Sequence, residues 1–133
     1  PVMNKRFEDN DIPHAWLTRD PAVRLAYEAD PYCGTPSSVR FSHSMTKMMR
    51  QATDPENVKK VPDTLPIAMF CGQEDSAGGF GDGPKAALEM YRKQGKNATL
   101  KLYPNARHEV LNETNKDEVY ADILNFLDAV TGA

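Results

Sequence analysis

Residues 65–108, which read LPIAMFCGQEDSAGGFGDGPKAALEMYRKQGKNATLKLYPNARH, decide the fold. The apolar run at residues 67–71 ends at Gly72, a pattern typical of a strand that is buried on both faces. A helical segment follows, and then a short alternating run at residues 99–103. Strand, helix and strand in this order predict a βαβ unit with two parallel strands and a right-handed crossover.

Two residues with catalytic chemistry follow these strands. Asp75 lies a few residues past the first strand, and His108 lies a few residues past the second. Because sites in open α/β sheets lie beyond the carboxyl ends of the strands, both side chains should reach the same rim. A carboxylate that orients an imidazole supplies two members of a hydrolase triad. We therefore expect a carboxylate oxygen of Asp75 within about 3 Å of an imidazole nitrogen of His108.

Four segments of the chain carry a resemblance to a known family: LPIAMFCGQED, AGGFGDG, KLYPNARHEVLNE and DEVYADILNFLDAV. They resemble the C-terminal half of an α/β-hydrolase of the lysophospholipase and monoacylglycerol-lipase type, which is serine aminopeptidase S33-like. In that family Gly-x-x-Asp after the penultimate strand supplies the triad acid, and Tyr-Pro-x-x-x-His after the last strand supplies the base. The resemblance implies these roles for Asp75 and His108.

The chain departs from the family in one respect, because no Gly-x-Ser-x-Gly occurs in it. Ser44, between His43 and Met45, imitates the centre of that motif, but its outer neighbours are Ser42 and Thr46. The nucleophile sits on a strained turn that needs small flanking residues and a preceding strand, so Ser44 is not expected to be one. The chain also opens without Met, which suits a truncated or cleaved C-terminal fragment that is inactive alone.

The predicted fold class is α/β: a partial α/β-hydrolase fold with two parallel C-terminal strands and flanking helices, preceded by a helical cap. Residues 1–63 would form the cap or lid segment and a linker, and residues 64–133 the C-terminal part of the core. Capping residues, prolines and apolar periodicity predict helices at about residues 21–29, 37–51, 84–94 and 115–130.

One apolar stripe is expected on the second of these helices, formed by Phe41, Met45, Met48 and Met49. Two interpretations stay open. The stripe packs on the sheet domain, or it belongs to a lid that contacts the acyl chain of a substrate, since Met adapts to irregular apolar ligands.

Composition excludes several classes of function. The net charge of −3 points to neither nucleic acid nor an anionic membrane surface, and no run of 18 apolar residues predicts a transmembrane segment. The N-terminus has no apolar core typical of a signal peptide, and we expect a cytoplasmic location. Two cysteines, Cys33 and Cys71, are too few for a disulfide scaffold.

No metal and no cofactor are expected. His14 and His43 lack the spacing of metal ligands, and the glycine-rich loop after the first strand lacks the Lys-Ser/Thr tail of a phosphate-binding loop. Glu109 and Glu113 lie near His108 and are expected to be structural, orienting Arg107 or the loop.

The function expected is cleavage of carboxylic esters, of the lysophospholipid or monoacylglycerol type, by an enzyme whose nucleophile lies outside this chain. The alternative is a non-catalytic α/β interaction module that docks on a partner chain. Two strands leave unpaired edges, and parallel sheets are almost always covered on both faces. We therefore expect a partner: the missing N-terminal half of the hydrolase, or a second copy of this chain.

Overall fold

The computed structural model describes residues 2–7 and 13–132, so the outer bounds of the two predicted domains, residues 1 and 133, lie outside the described residues. Its helices and strands follow the predicted order. They are α1 (Pro21–Ala29), α2 (Val39–Ala52), α3 (Pro55–Val58), β1 (Ile67–Gly72), α4 (Asp82–Lys93), β2 (Ala98–Tyr103) and α5 (Lys116–Thr131), with short 3-10 turns at Val2–Asn4 and Val110–Asn112.

The two strands form a parallel pair, which confirms the predicted α/β class. The register runs from Ile67 opposite Ala98 to Gly72 opposite Tyr103, so the two carboxyl ends lie side by side. The crossover helix α4 packs against β2.

Helix α4 begins at Asp82, earlier than the predicted start at Pro84. Gly81, in the left-handed region with φ of 89°, is its N-cap. Pro84 therefore lies in the first turn, where a missing N–H leaves no hydrogen bond unmade.

One cluster of buried hydrophobic residues lies where β2 meets α5. It consists of Tyr103, Ala106 and Val119, with Phe70, Val110 and Ile123 packed against it. An edge-to-face contact between Phe70 and Phe126, with ring centroids 6.3 Å apart, joins β1 to α5. Residues 67–71 of β1 are nevertheless only half-buried within the described part of the chain, so the cover expected on both faces is incomplete.

Helix α2 presents its apolar stripe to solvent. No residue of this helix is buried, and it packs mainly against the short helix α3. The stripe residues Phe41, Met45, Met48 and Met49 are 56%, 48%, 68% and 61% exposed. The described residues therefore leave this stripe uncovered, instead of burying it on the sheet.

A buried ammonium group joins the linker after α3 to the turn before β2. The side chain of Lys96 is 4% exposed. Its Nζ donates to the carbonyl oxygens of Val61 at 2.7 Å and Lys59 at 3.1 Å, and it forms an ion pair with Asp63. Three acceptors on one segment satisfy the charge, which is the condition for burying a lysine.

Replacing Lys96 with Met should lower the free energy of unfolding by about 1–3 kcal/mol, because the carbonyl groups of Lys59 and Val61 lose a charged donor. Chemical denaturation followed by circular dichroism measures this difference. The matched control is K93M, since Lys93 is 75% exposed and pairs only loosely with Glu89. A K96M variant as stable as K93M would contradict the structural role of the ammonium group.

Candidate active site

The loop that carries His108 crosses directly over the end of β1. A Cβ on Gly72 would lie 2.1 Å from the carbonyl oxygen of Arg107 and 2.4 Å from that of Ala106. The backbone N–H of Glu74 donates to the Ala106 carbonyl at 2.8 Å. Only glycine permits this approach, so the first residue of the Gly-x-x-Asp motif is required by the path of the His loop.

Asp75 and His108 form a hydrogen-bonded pair at the carboxyl ends of the two strands. Nδ1 of His108 lies 3.1 Å from Oδ2 of Asp75. The carboxylate side chain is 12% exposed, and the imidazole is 41% exposed. The other oxygen, Oδ1, accepts the N–H of Ala77 at 2.8 Å. The glycine-rich loop closes around this carboxylate, since a Cβ on Gly78 would lie 2.9 Å from Oδ2.

The contact between Asp75 and His108 favours the charged form of each residue, which lowers the pKa of Asp75 and raises the pKa of His108. Burial raises the pKa of Asp75, but the hydrogen bond and charge of His108 and two backbone N–H groups outweigh it and bring the pKa below its ordinary 3.8. The hydrogen bond to Asp75 raises the pKa of His108 above its ordinary 6.5, against the opposing effect of burial. With Nδ1 donating to Asp75, Nε2 is the nitrogen that can accept a proton.

A segment far from His108 in sequence lies against it; we call residues 15–19 the N-terminal arm. The ring centroids of Trp16 and His108 are 4.9 Å apart, with an angle of 42° between the ring planes. The N–H of His108 donates to the Trp16 carbonyl at 3.3 Å, and the N–H of Glu109 donates to the Leu17 carbonyl at 2.8 Å. Local sequence patterns give no signal for this contact between Trp16 and His108.

Glu113 fastens this arm to the His loop. Its side chain is fully buried, and Oε1 accepts the N–H of Arg107 at 2.8 Å and that of Arg19 at 3.1 Å. Oε2 accepts Nε of Arg19 at 2.8 Å and the N–H of Thr114 at 3.1 Å. The expectation that Glu113 orients the Arg107 loop agrees with these contacts.

The remaining candidate residues lie elsewhere. In the described part of the chain, the stripe residues of α2 share no hydrogen bond, ion pair or ring contact with Asp75 or His108. Ser44 lies inside α2 and not on the strand-to-helix turn that a nucleophile requires.

Within residues 2–7 and 13–132, no group of three or more His, Cys, Asp or Glu side chains could hold a metal. No described helix is both long and apolar enough to cross a membrane.

Comparison with known proteins gives one matching family and several similar solved structures, among them an esterase and a lipase. A family model described as serine aminopeptidase, S33, matches residues 2–115. A highly thermostable carboxyl esterase from Bacillus coagulans, in complex with glycerol, is 30% identical with a TM-score of 0.87, over 96% of this chain and 42% of its own. A lipase in an open form is 33% identical with a TM-score of 0.87, over 98% of this chain and 43% of its own.

This chain therefore spans less than half the length of either solved protein. No curated protein matches the sequence.

Replacing Asp75 with Asn should lower the pKa of His108 toward 6.5, because the hydrogen bond to the carboxylate is the main cause of its raised value. NMR titration of the imidazole C–H resonances measures this change, and His43 on exposed α2 serves as the internal control. A His108 titration unchanged by D75N would show that the carboxylate does not act on the imidazole.

The same pair predicts a pH window in stability. The raised pKa of His108 contributes stability that is full below 6.5 and is lost as the pH rises through the raised value. The lowered pKa of Asp75 contributes stability that is full above 3.8 and is lost as the pH falls through the lowered value. The difference in unfolding free energy between the unmodified chain and D75N should therefore be largest between these two pH values.

Replacing Gly72 with Ala should destabilise the chain and displace the His loop, because the new Cβ would overlap two carbonyl oxygens. We expect a loss of about 2 kcal/mol or more in denaturant unfolding, in the range of severe single substitutions. Gly95 is the control, since nothing lies within 4 Å of an added Cβ there and only its positive φ opposes Ala. Chemical-shift changes at His108 in G72A but not in G95A would locate the effect.

Proposed function

Because this chain belongs to the serine aminopeptidase S33 family, we propose that it is the C-terminal part of a serine hydrolase that cleaves carboxylic esters. The observation that carries the proposal is the 3.1 Å contact between His108 and Asp75 at adjacent strand ends. The likeness to a carboxyl esterase and to a lipase supports the choice of substrate class.

In the proposed reaction His108 is the base and Asp75 the residue that orients it. Nε2 of His108 takes the proton of a serine hydroxyl, supplied by a part of the enzyme outside this chain, as the serine oxygen attacks the ester carbonyl. The imidazolium then donates that proton to the leaving alcohol as the carbon–oxygen bond breaks, which gives an acyl-enzyme. Water attacks the acyl-enzyme by the same proton transfers and releases the acid. Asp75 stabilises the imidazolium at each stage.

The finer substrate proposed is a lipid ester of the lysophospholipid or monoacylglycerol type. Its support is the exposed stripe on α2, formed by Phe41, Met45, Met48 and Met49. Flexible Met side chains conform to an alkyl chain, so this stripe would line the acyl site when the lid covers it. The lipase likeness agrees with an apolar acyl group.

The enzyme proposed here needs cover for surfaces that the described residues leave open. Residues of β1 are half-buried, and an apolar groove of about 490 Å³ is lined by Leu111, Tyr120, Ile123 and Leu124. We assign this cover to the N-terminal half of the hydrolase, with a second copy of the chain as the alternative. Analytical ultracentrifugation of the 133-residue chain measures its oligomeric state and so distinguishes these two alternatives. A cooperatively folded monomer without a partner would favour a stand-alone, non-catalytic module.

A chimera tests the catalytic roles directly. This chain would replace the matching part of the Bacillus coagulans carboxyl esterase, and hydrolysis of p-nitrophenyl butyrate would be followed. We expect an active chimera in which H108Q and D75N each lower kcat by about 10³-fold or more, as for other triad members. The H43Q variant is the matched control and should retain full activity.

Two results would contradict this proposal. One is a folded chimera, verified by circular dichroism, that shows no ester hydrolysis. The other is an active chimera that is insensitive to H108Q, because the base of the reaction would then lie elsewhere.

A further inference from the structure

The aromatic side chain against His108 comes from a distant part of the chain and has no role in the reaction described above. Trp16 is partly buried, and its ring lies 4.9 Å from the imidazole, centroid to centroid. We propose that Trp16 is a positioning residue that holds the imidazole of His108 against Asp75, a role that rests on the proposed function.

One hydrogen bond alone does not fix an imidazole. The terminal torsion of His is broad, so the ring can rotate while Nδ1 stays near a carboxylate oxygen. The contact from His108 to Asp75 lies at one edge of the ring, and the Trp16 ring lies against the imidazole with 42° between the planes. The hydrogen bond at one edge and the tilted ring contact together restrict the rotation of the imidazole.

Trp16 is itself held firmly enough to serve this purpose. Its main-chain N–H donates to Oδ1 of Asn4 at 3.1 Å, and its carbonyl accepts the main-chain N–H of His108. Both neighbours in the chain, Ala15 and Leu17, are buried at 0% and 4% exposure. The indole is therefore attached to a segment whose register against the His loop is set by backbone contacts.

A second set of contacts prevents the arm from sliding along the His loop. Nη1 of Arg107 donates to the carbonyl of Ala15 at 2.6 Å, from the residue next to His108. On the other side of Trp16, the buried carboxylate of Glu113 binds both the main chain and the side chain of Arg19. The arm is thus fixed on both sides of Trp16, and displacement of the indole would break several buried hydrogen bonds.

The face of an indole also favours a neighbouring cation. In the proposed reaction the imidazole becomes positively charged each time it holds the transferred proton. Trp16 would therefore restrict the ring in both protonation states and favour the charged state in particular. A ring that is held against Asp75 in this way should also exchange its Nδ1 proton with water more slowly than a mobile one.

The test uses the 133-residue chain and the NMR signal of the His108 Nδ1 proton near pH 6. In the unmodified chain this proton should give a downfield resonance that exchanges slowly. In W16A the resonance should be lost through exchange, and the His108 titration should move toward 6.5, the ordinary value. W16F should restore both, because it keeps an aromatic face. The matched control is Y32A, which removes an aromatic side chain that is 90% exposed.

W16L guards against a purely structural effect, because it keeps an apolar side chain of useful bulk and lacks a π face. The proposal is overturned if W16L retains the Nδ1 resonance and the titration of the unmodified chain, or if W16F fails to restore them. D75N separates this proposal from the proposed function. If D75N leaves His108 unaltered, the acid–base pair itself is wrong; if D75N abolishes the resonance and W16L does not, only the role of Trp16 fails.

Discussion

The buried carboxylate of Glu113 is the interaction on which the candidate site depends. It accepts hydrogen bonds from three main-chain N–H groups and from the guanidinium of Arg19, at distances from 2.8 to 3.1 Å. A buried charge is tolerated only when it is paired and fully hydrogen-bonded, and this arrangement meets both conditions. The donors come from the N-terminal arm, the His loop and Thr114, which lies just before α5. One side chain therefore sets how these three segments lie against each other, and His108 is between two of them.

The sheet supplies the other half of the geometry. Parallel pairing in register brings the ends of β1 and β2 together, and Gly72 lets the His loop cross the end of β1 at backbone contact distance. The loop after β1 that carries Asp75 is then joined to the His loop by the hydrogen bond from the Glu74 N–H to the Ala106 carbonyl. The strand ends position Asp75, and the N-terminal arm positions His108. The 3.1 Å contact between them follows from both sets of constraints.

The parts of this arrangement that the sequence predicted are the local ones. An apolar run that ends at glycine, a helical segment and an alternating run before Tyr103-Pro104 are patterns within a few residues, and they sufficed to place Asp75 and His108 on one rim. The start of α4 was placed too late because Gly81 caps the helix in a left-handed conformation, which no side chain signals. The contact of Trp16 with His108 and the two hydrogen bonds from Arg19 to Glu113 join residues more than 90 positions apart. Such contacts depend on how the arm packs, and no local pattern encodes them.

The acid–base pair and the residues that position it all come from this chain. They lie in the N-terminal arm, the loop after β1, the His loop and the turn before α5. The hydrogen bonds that hold His108 against Asp75 and fasten the arm to the His loop are formed within this chain, so the pair is organised before any other part of the proposed enzyme binds. The surfaces left uncovered lie on different elements, namely the stripe of α2, one side of β1 and the groove beside α5. Preorganised proton transfer is effective because it requires little rearrangement during the reaction. In the proposed hydrolase, assembly with the N-terminal half would then supply the nucleophile and exclude water, whereas His108 would already be in position to act as the base.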